Sequence, residues 1–243
     1  MSNFARLDTV TIGLIQVRKE GVDREPGSWF EDGLGPLEVK GEGGVGRLLI
    51  AHGAGAGQHS LYMSRLRNAL AEQGVQTLAV EFSYMQRAQL EGKRIPPPPI
   101  DHLVEELSRW CDTLTHPQGG TLWLGGKSLG GRVASLLAAR QPAAGLVLCG
   151  YPFHPPRKPE KLRLAHWPQI TCPTLVVQGS RDPFGTRDEV AHYELAGQRQ
   201  LHWLEDGDHD WKPRRRSGRT QAELIEYGAT VIAAFMKEHR AAG

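Results

Sequence analysis

A chain of 243 residues, 40% hydrophobic and 23% charged, has the composition of an ordinary globular protein rather than a disordered one and is long enough to bury a large core as one domain. Its formal net charge of +2 lies too near neutrality to make nucleic acid an obligatory partner. The three cysteines, Cys111, Cys149 and Cys172, sit in or beside apolar segments and read as buried thiols of a reducing compartment; with no basic-then-apolar leader and no apolar run near about 18 residues, the expected location is cytoplasmic, with no membrane partner.

Apolar residues partly alternate over 10–17 and again over 36–39, which predicts one or two antiparallel edge strands, with the polar stretch 19–35 as a loop. Residues 47–51 read as a buried strand that runs into His52-Gly53-Ala54-Gly55-Ala56-Gly57. In such a glycine-rich exit, backbone N–H groups can approach a ligand closely. The stretch has three readings: half of an oxyanion hole, a dinucleotide-binding turn, or a structural turn. The dinucleotide pattern G-x-G-x-x-G breaks at Gln58, and only Glu81 stands near the place of the expected ribose-binding acid.

A helix-like segment over 61–72 and a buried strand over 76–82 follow, then a long connection, 83–100, that carries Pro96-Pro97-Pro98-Pro99. Four prolines in a row favour polyproline II and forbid regular pairing, so this stretch is expected on the surface near a strand's carboxyl end, as a rim, a partial lid or a stiff connector. From Asp101 onward, Leu103, Leu107, Trp110, Cys111 and Leu114 fall on one face of a helix, a core face.

The stretch 121–132, Thr-Leu-Trp-Leu-Gly-Gly-Lys-Ser-Leu-Gly-Gly-Arg, reads as a short strand, a sharp glycine turn and a helix start, with Ser128 at the tip. Gly126-Lys127-Ser128-Leu129-Gly130 fits G-x-S-x-G, which holds a hydroxyl clear of its own backbone beside a helix N-terminus. Gly-Lys-Ser also suggests a phosphate-binding loop, but Thr121 stands where that motif needs a glycine. The helix continues toward Arg140; strands are expected over 145–149, 174–177 and 200–205, with helices over 187–196 and 221–240. Strands and helices thus alternate, the pattern of a parallel sheet covered on both faces, with ligands outside the carboxyl ends of the strands. Residues 151–171 are too short for a full cap domain.

A serine hydroxyl needs a base in reach, and the base needs a carboxylate to fix its tautomer. Asp182, in Gly179-Ser180-Arg181-Asp182-Pro183, follows one strand, and His209, in Asp206-Gly207-Asp208-His209-Asp210, follows the next. Ser128, Asp182 and His209 therefore form the candidate catalytic triad, with the N–H groups of Ala54 and Leu129 as the candidate oxyanion hole. Taken singly, the aspartate reads as a turn residue and the histidine as a solvated loop group. Asp208 and Asp210 are alternative acids, but neighbours in one flexible loop orient a ring poorly. The acids around His209 also suggest a metal, yet no second histidine stands at ligand spacing, so neither metal nor cofactor is expected.

The phrases His52-Gly53-Ala54-Gly55, Phe82-Ser83-Tyr84-Met85, Gly126-Lys127-Ser128-Leu129-Gly130-Gly131-Arg132, Tyr151-Pro152-Phe153-His154-Pro155-Pro156, Gly179-Ser180-Arg181-Asp182-Pro183-Phe184-Gly185 and Asp208-His209-Asp210 resemble an α/β-hydrolase related to dienelactone-hydrolase-like proteins. More narrowly, they are similar to the branch that includes a subunit of the non-specific lethal chromatin complex and its testis-expressed relative. The resemblance covers about residue 48 to the C-terminus and implies the α/β-hydrolase sheet order and the triad roles, without naming a substrate. Dienelactone hydrolases are expected to use a cysteine nucleophile, so Ser128 argues against that specific activity.

The expectation is one α/β-hydrolase domain over 1–243, with edge strands and loop over 1–45 and a catalytic core over 46–243 without a large cap. It would be a serine esterase acting on a small-molecule ester or thioester, without cofactor. The alternative is a non-catalytic hydrolase-fold interaction module, supported by the resemblance to a complex subunit and by the basic tract Lys212-Pro213-Arg214-Arg215-Arg216-Ser217-Gly218-Arg219. That tract reads as an anion-binding patch, a nucleic-acid contact or a solvated loop, the last being the default.

Overall fold

The computed structural model describes residues 26–115, 122–195, 197 and 199–240. The strand expected over 10–17 lies outside them.

One eight-stranded sheet organises these residues in the order β1-β2-β4-β3-β5-β6-β7-β8. The strands are β1 (Gly27–Glu31), β2 (Gly35–Lys40), β3 (Gly46–Ala51), β4 (Val75–Val80), β5 (Leu122–Lys127), β6 (Leu146–Cys149), β7 (Thr174–Gly179) and β8 (Arg199–Leu204). β1 and β2 form the antiparallel edge, and β3 to β8 run parallel. The helices are α1 (Leu61–Glu72), α2 (Ser83–Leu90), α3 (Ile100–Leu114), α4 (Leu129–Ala138), α5 (Arg187–Val190) and α6 (Gln221–Glu238). This is the α/β-hydrolase fold expected from the sequence.

Because side chains alternate across a strand, each inner strand feeds two cores. Leu48 and Ile50 of β3 join the layer under α1 and α6, while Leu49 and Ala51 join the layer under α3 and α4. The predicted apolar face of α3, from Leu103 to Leu114, is buried in the second layer, and Trp110 is fully buried. Burying each such side chain stabilises the fold by about 1.5–3 kcal/mol. All three cysteines are buried and unpaired.

The structure corrects four local expectations. The stretch read as a loop over 19–35 contains β1, where Trp29 and Phe30 lie opposite Leu37 and Pro36; the partner strand supplies the order that the polar composition hid. Helix α2 occupies the first half of the connection read over 83–100. Its N-terminus is capped from afar, since the Ser83 N–H and hydroxyl donate to the Glu106 carboxylate of α3 at 2.7 and 3.0 Å. Helix α5 is only four residues long, started by a Thr186–Glu189 capping box and ending well before the expected limit. Gly125 and Gly126 are strand residues of β5, paired with Ile50 and Ala51, and the turn falls on Ser128 alone.

Residues 93–99 form an exposed to half-exposed connection between α2 and α3. The segment after β6 carries only a short 3-10 turn, Trp167–Gln169, and packs Tyr151, Phe153 and Trp167 against one another with ring centroids 5.1 to 5.9 Å apart. Among the described residues, no helix is long and apolar enough to cross a membrane.

Candidate active site

Ser128 follows β5 and caps α4 with φ 52° and ψ −112°, backbone space that L side chains rarely adopt. The glycines around it allow this turn by permitting close approach. A Cβ on Gly126 would stand 2.3 Å from the carbonyl carbon of Gly130, and one on Gly130 would stand 2.3 Å from the Ala51 oxygen. Only bare backbone lets α4 pack this tightly against β3 and β5. The Ser128 N–H is held by the Cys149 carbonyl at 3.0 Å, so the strained residue is anchored to the neighbouring strand.

Asp182 and His209 arrive from the ends of β7 and β8. The His209 Nε2 lies 2.9 Å from Ser128 Oγ, and its Nδ1 lies 2.8 Å from Asp182 Oδ2. Asp182 is fully buried, and Oδ1 accepts the Phe184 N–H while Oδ2 also accepts the Gln178 amide, both at 2.9 Å. With the carboxylate accepting throughout, Nδ1 carries the imidazole hydrogen and Nε2 is left to accept from the serine hydroxyl. The Phe184 ring lies 4.3 Å from the imidazole, centroid to centroid, and shields one side of it. The alternative acids have other partners: Asp208 Oδ1 accepts the N–H groups of Asp210 and Lys212, and Asp210 pairs with Lys127.

The loop after β3 is fixed from two sides. The Tyr84 hydroxyl donates to the carbonyl of Ala54 at 3.1 Å. His52 Nδ1 lies 2.7 Å from the Gly53 carbonyl, while Nε2 accepts the Phe82 N–H at 3.1 Å. Burial pushes the His52 pKa down to about 4, so the ring is neutral and those two roles assign Nδ1 as the donor. Below the loop the buried Glu81 carboxylate accepts the Gln58 N–H at 3.1 Å. Burial raises its pKa to about 7, against the lowering effect of hydrogen bonds from Gln58 and Gln89.

A cleft of about 590 Å³ opens over these groups, walled by Gly53, Ala54, Leu61, Tyr62, Phe184 and His209, with Ser128 in its lining. Residues 93–99 are not among its lining residues, so the proline run forms no wall of it. Leu129, the first residue of α4, has no carbonyl of its own helix for its N–H to bond. Of the basic tract, Arg214 is bound to Asp206 through its backbone N–H and its Nε, at 2.7 and 2.6 Å, while Arg215, Arg216 and Arg219 are exposed. Sequence reasoning passed over Gln178, Tyr84 and Lys127. A polar residue inside an otherwise apolar strand is the one signal that pointed to Gln178.

Solved structures of similar fold include a dienelactone hydrolase from Anabaena variabilis ATCC 29413, with TM-score 0.66 and 22% identity over 88% of this chain and 96% of that one. An alpha-beta serine hydrolase homologue from Coxiella burnetii matches with TM-score 0.62 and 20% identity, covering 88% of this chain and 100% of that one. Est1E from Butyrivibrio proteoclasticus matches with TM-score 0.65 and 14% identity, covering 88% and 98%. A comparison with curated proteins gave no match. The family described as alpha/beta hydrolase domain matches residues 45–237, most of the chain and all of the strands from β3 onward, and the chain belongs to that family.

Proposed function

We propose that this chain is a serine hydrolase that transfers the acyl group of a small-molecule carboxylic ester or thioester to water, working as one catalytic domain. Ser128 Oγ attacks the carbonyl carbon as His209 Nε2 takes its proton. His209 then returns that proton to the leaving alkoxide or thiolate, giving an acyl-serine, and repeats both steps with water. Asp182 holds the ring and stabilises the imidazolium. The N–H groups of Ala54 and Leu129 serve the oxyanion, each contributing about 3–4 kcal/mol of barrier lowering.

The observation that carries this reading is the pair of hydrogen bonds of 2.9 and 2.8 Å that line up Ser128, His209 and Asp182 from the ends of three strands. Fold neighbours that include a dienelactone hydrolase and a serine hydrolase homologue accord with it. The finer resemblance to the chromatin-complex branch leaves the substrate open.

Incubation with a fluorophosphonate probe should label one equivalent of Ser128, and p-nitrophenyl esters of rising chain length should be turned over. In Ser128→Ala, labelling should vanish and turnover should fall by about 10⁴-fold or more. Labelling that survives the substitution overturns the assignment.

A further inference from the structure

Lys127, the last residue of β5, has a side chain only 6% exposed. It leaves the sheet on the α1–α6 face, away from α4. There its ammonium lies 5.4 Å from the ring centroid of Tyr62 of α1, and Cys149 of β6 is its partner in register. The ammonium reaches 3.2 Å from Asp210 Oδ1, on the loop that carries His209.

Gly150 explains how these charges meet. The point where its Cβ would stand is 3.0 Å from the His209 carbonyl oxygen, 3.3 Å from Lys127 Nζ and 3.5 Å from Asp182 Oδ2. A buried cation, the acid that holds His209 and the main chain of His209 itself thus surround one bare backbone position. A cation so withdrawn from water requires negative partners. Here these are Asp182 and Asp210, one on each loop that builds the site. Burial pulls the Lys127 pKa down, and the two carboxylates pull it back up.

Resting on the acyl-transfer reading, we propose that Lys127 is a positioning residue for His209. Its ammonium draws Asp210 inward, so the loop after β8 is fastened to the strand that presents Ser128, and its charge offsets that of Asp182 beside the imidazole. The titratable groups around it are Tyr62 from α1, Cys149 from β6, Asp182 from the loop after β7, and His209 and Asp210 from the loop after β8. Lys127 brings a positive charge and Asp210 a negative one to this side of the site.

The test uses the full chain with isotope-labelled histidine. The His209 titration is followed by NMR, and the acid limb of kcat/KM for p-nitrophenyl acetate is measured in parallel. In Lys127→Met the midpoint should rise by about 0.5–1 on the pH scale, and in Asp210→Asn it should fall by a similar amount. Opposite shifts are what a purely structural role would not produce. Midpoints that stay put, or move in the same direction, overturn the proposal. If Lys127→Met does not fold, Lys127→Gln, which keeps a polar head beside Asp210, is titrated in its place under the same two outcomes; Asp210→Asn, at a side chain 63% exposed, remains the paired variant. A wild-type protein that hydrolyses no ester while His209 still moves in opposite directions would remove the esterase reading and leave the positioning role standing.

Discussion

Gln178 donates its side-chain N–H to Asp182 Oδ2, the same oxygen that faces His209 Nδ1, and both residues are fully buried. The amide also knits the end of β7 to the segment that follows β6, because Oε1 accepts the Tyr151 N–H at 2.7 Å and Nε2 donates to the Tyr151 carbonyl at 3.1 Å. In Gln178→Ala the Tyr151 N–H is left buried without its acceptor. That costs about 2–3 kcal/mol and lowers Tm by about 5–10 °C. Asp182 loses one orienting hydrogen bond worth about 1 kcal/mol, so kcat should fall by about five- to tenfold. Calorimetry and ester kinetics on the same sample check both, and an unchanged melting temperature would contradict the buried network.

The contact between Gly130 and β3 sets two effects against each other. Alanine favours a helix over glycine by about 1 kcal/mol. The added Cβ would nevertheless meet the Ala51 oxygen at 2.3 Å and the His52 oxygen at 2.7 Å, both rigid backbone. Overpacking of that kind costs about 3 kcal/mol, so the clash wins. Urea unfolding of Gly130→Ala should show a net loss of about 2 kcal/mol or more, together with weaker labelling of Ser128. A stabilised variant would mean that α4 can slide away from β3.

Glu81 and His52 lie side by side under the loop after β3, with Oε1 3.3 Å from Nε2, and they load stability in opposite directions. The folded pKa of Glu81 is raised from 4.5 to about 7. Between those values the folded protein holds a proton that the unfolded chain has lost, and stability falls as pH rises. The folded pKa of His52 is lowered from 6.5 to about 4. Between those values the unfolded chain binds a proton that the folded one refuses, and stability rises with pH. The two slopes cancel over most of the overlap. Glu81→Gln removes one of them, so its stability should climb relative to wild type by about 2–3 kcal/mol from pH 4.5 to 7. Urea unfolding at four pH values across that span reads the difference, and parallel curves would mean that Glu81 titrates alike in the folded and the unfolded chain.

Much of the fold was legible because it rests on short-range periodicity. The β3 run of consecutive apolar residues, the spaced apolar face of α3 and the bounds of α1 all follow from residues within a turn or two of each other. Helix α2 was hidden because its N-terminus is completed by Glu106, 23 residues away, and no local cap marks it. β1 was hidden because its order comes from pairing with β2. The glycines of G-x-S-x-G were recognised as a motif but misassigned in role, since how close α4 lies to β3 and β5 is a tertiary quantity.

By itself the sequence determined the alternation of strands and helices, the place of Ser128 at a strand end, and the order of Asp182 and His209 on the strands after it. Those are properties of neighbouring residues, and chain order carries them. Only the tertiary structure decided that Asp182, rather than Asp208 or Asp210, faces the His209 ring, and that Lys127 is buried with its ammonium paired to Asp210. Ser128 and His209 stand 81 residues apart. Which side chains meet across such a span depends on strand order and register, and these are set by the packing of the whole sheet rather than by any local pattern.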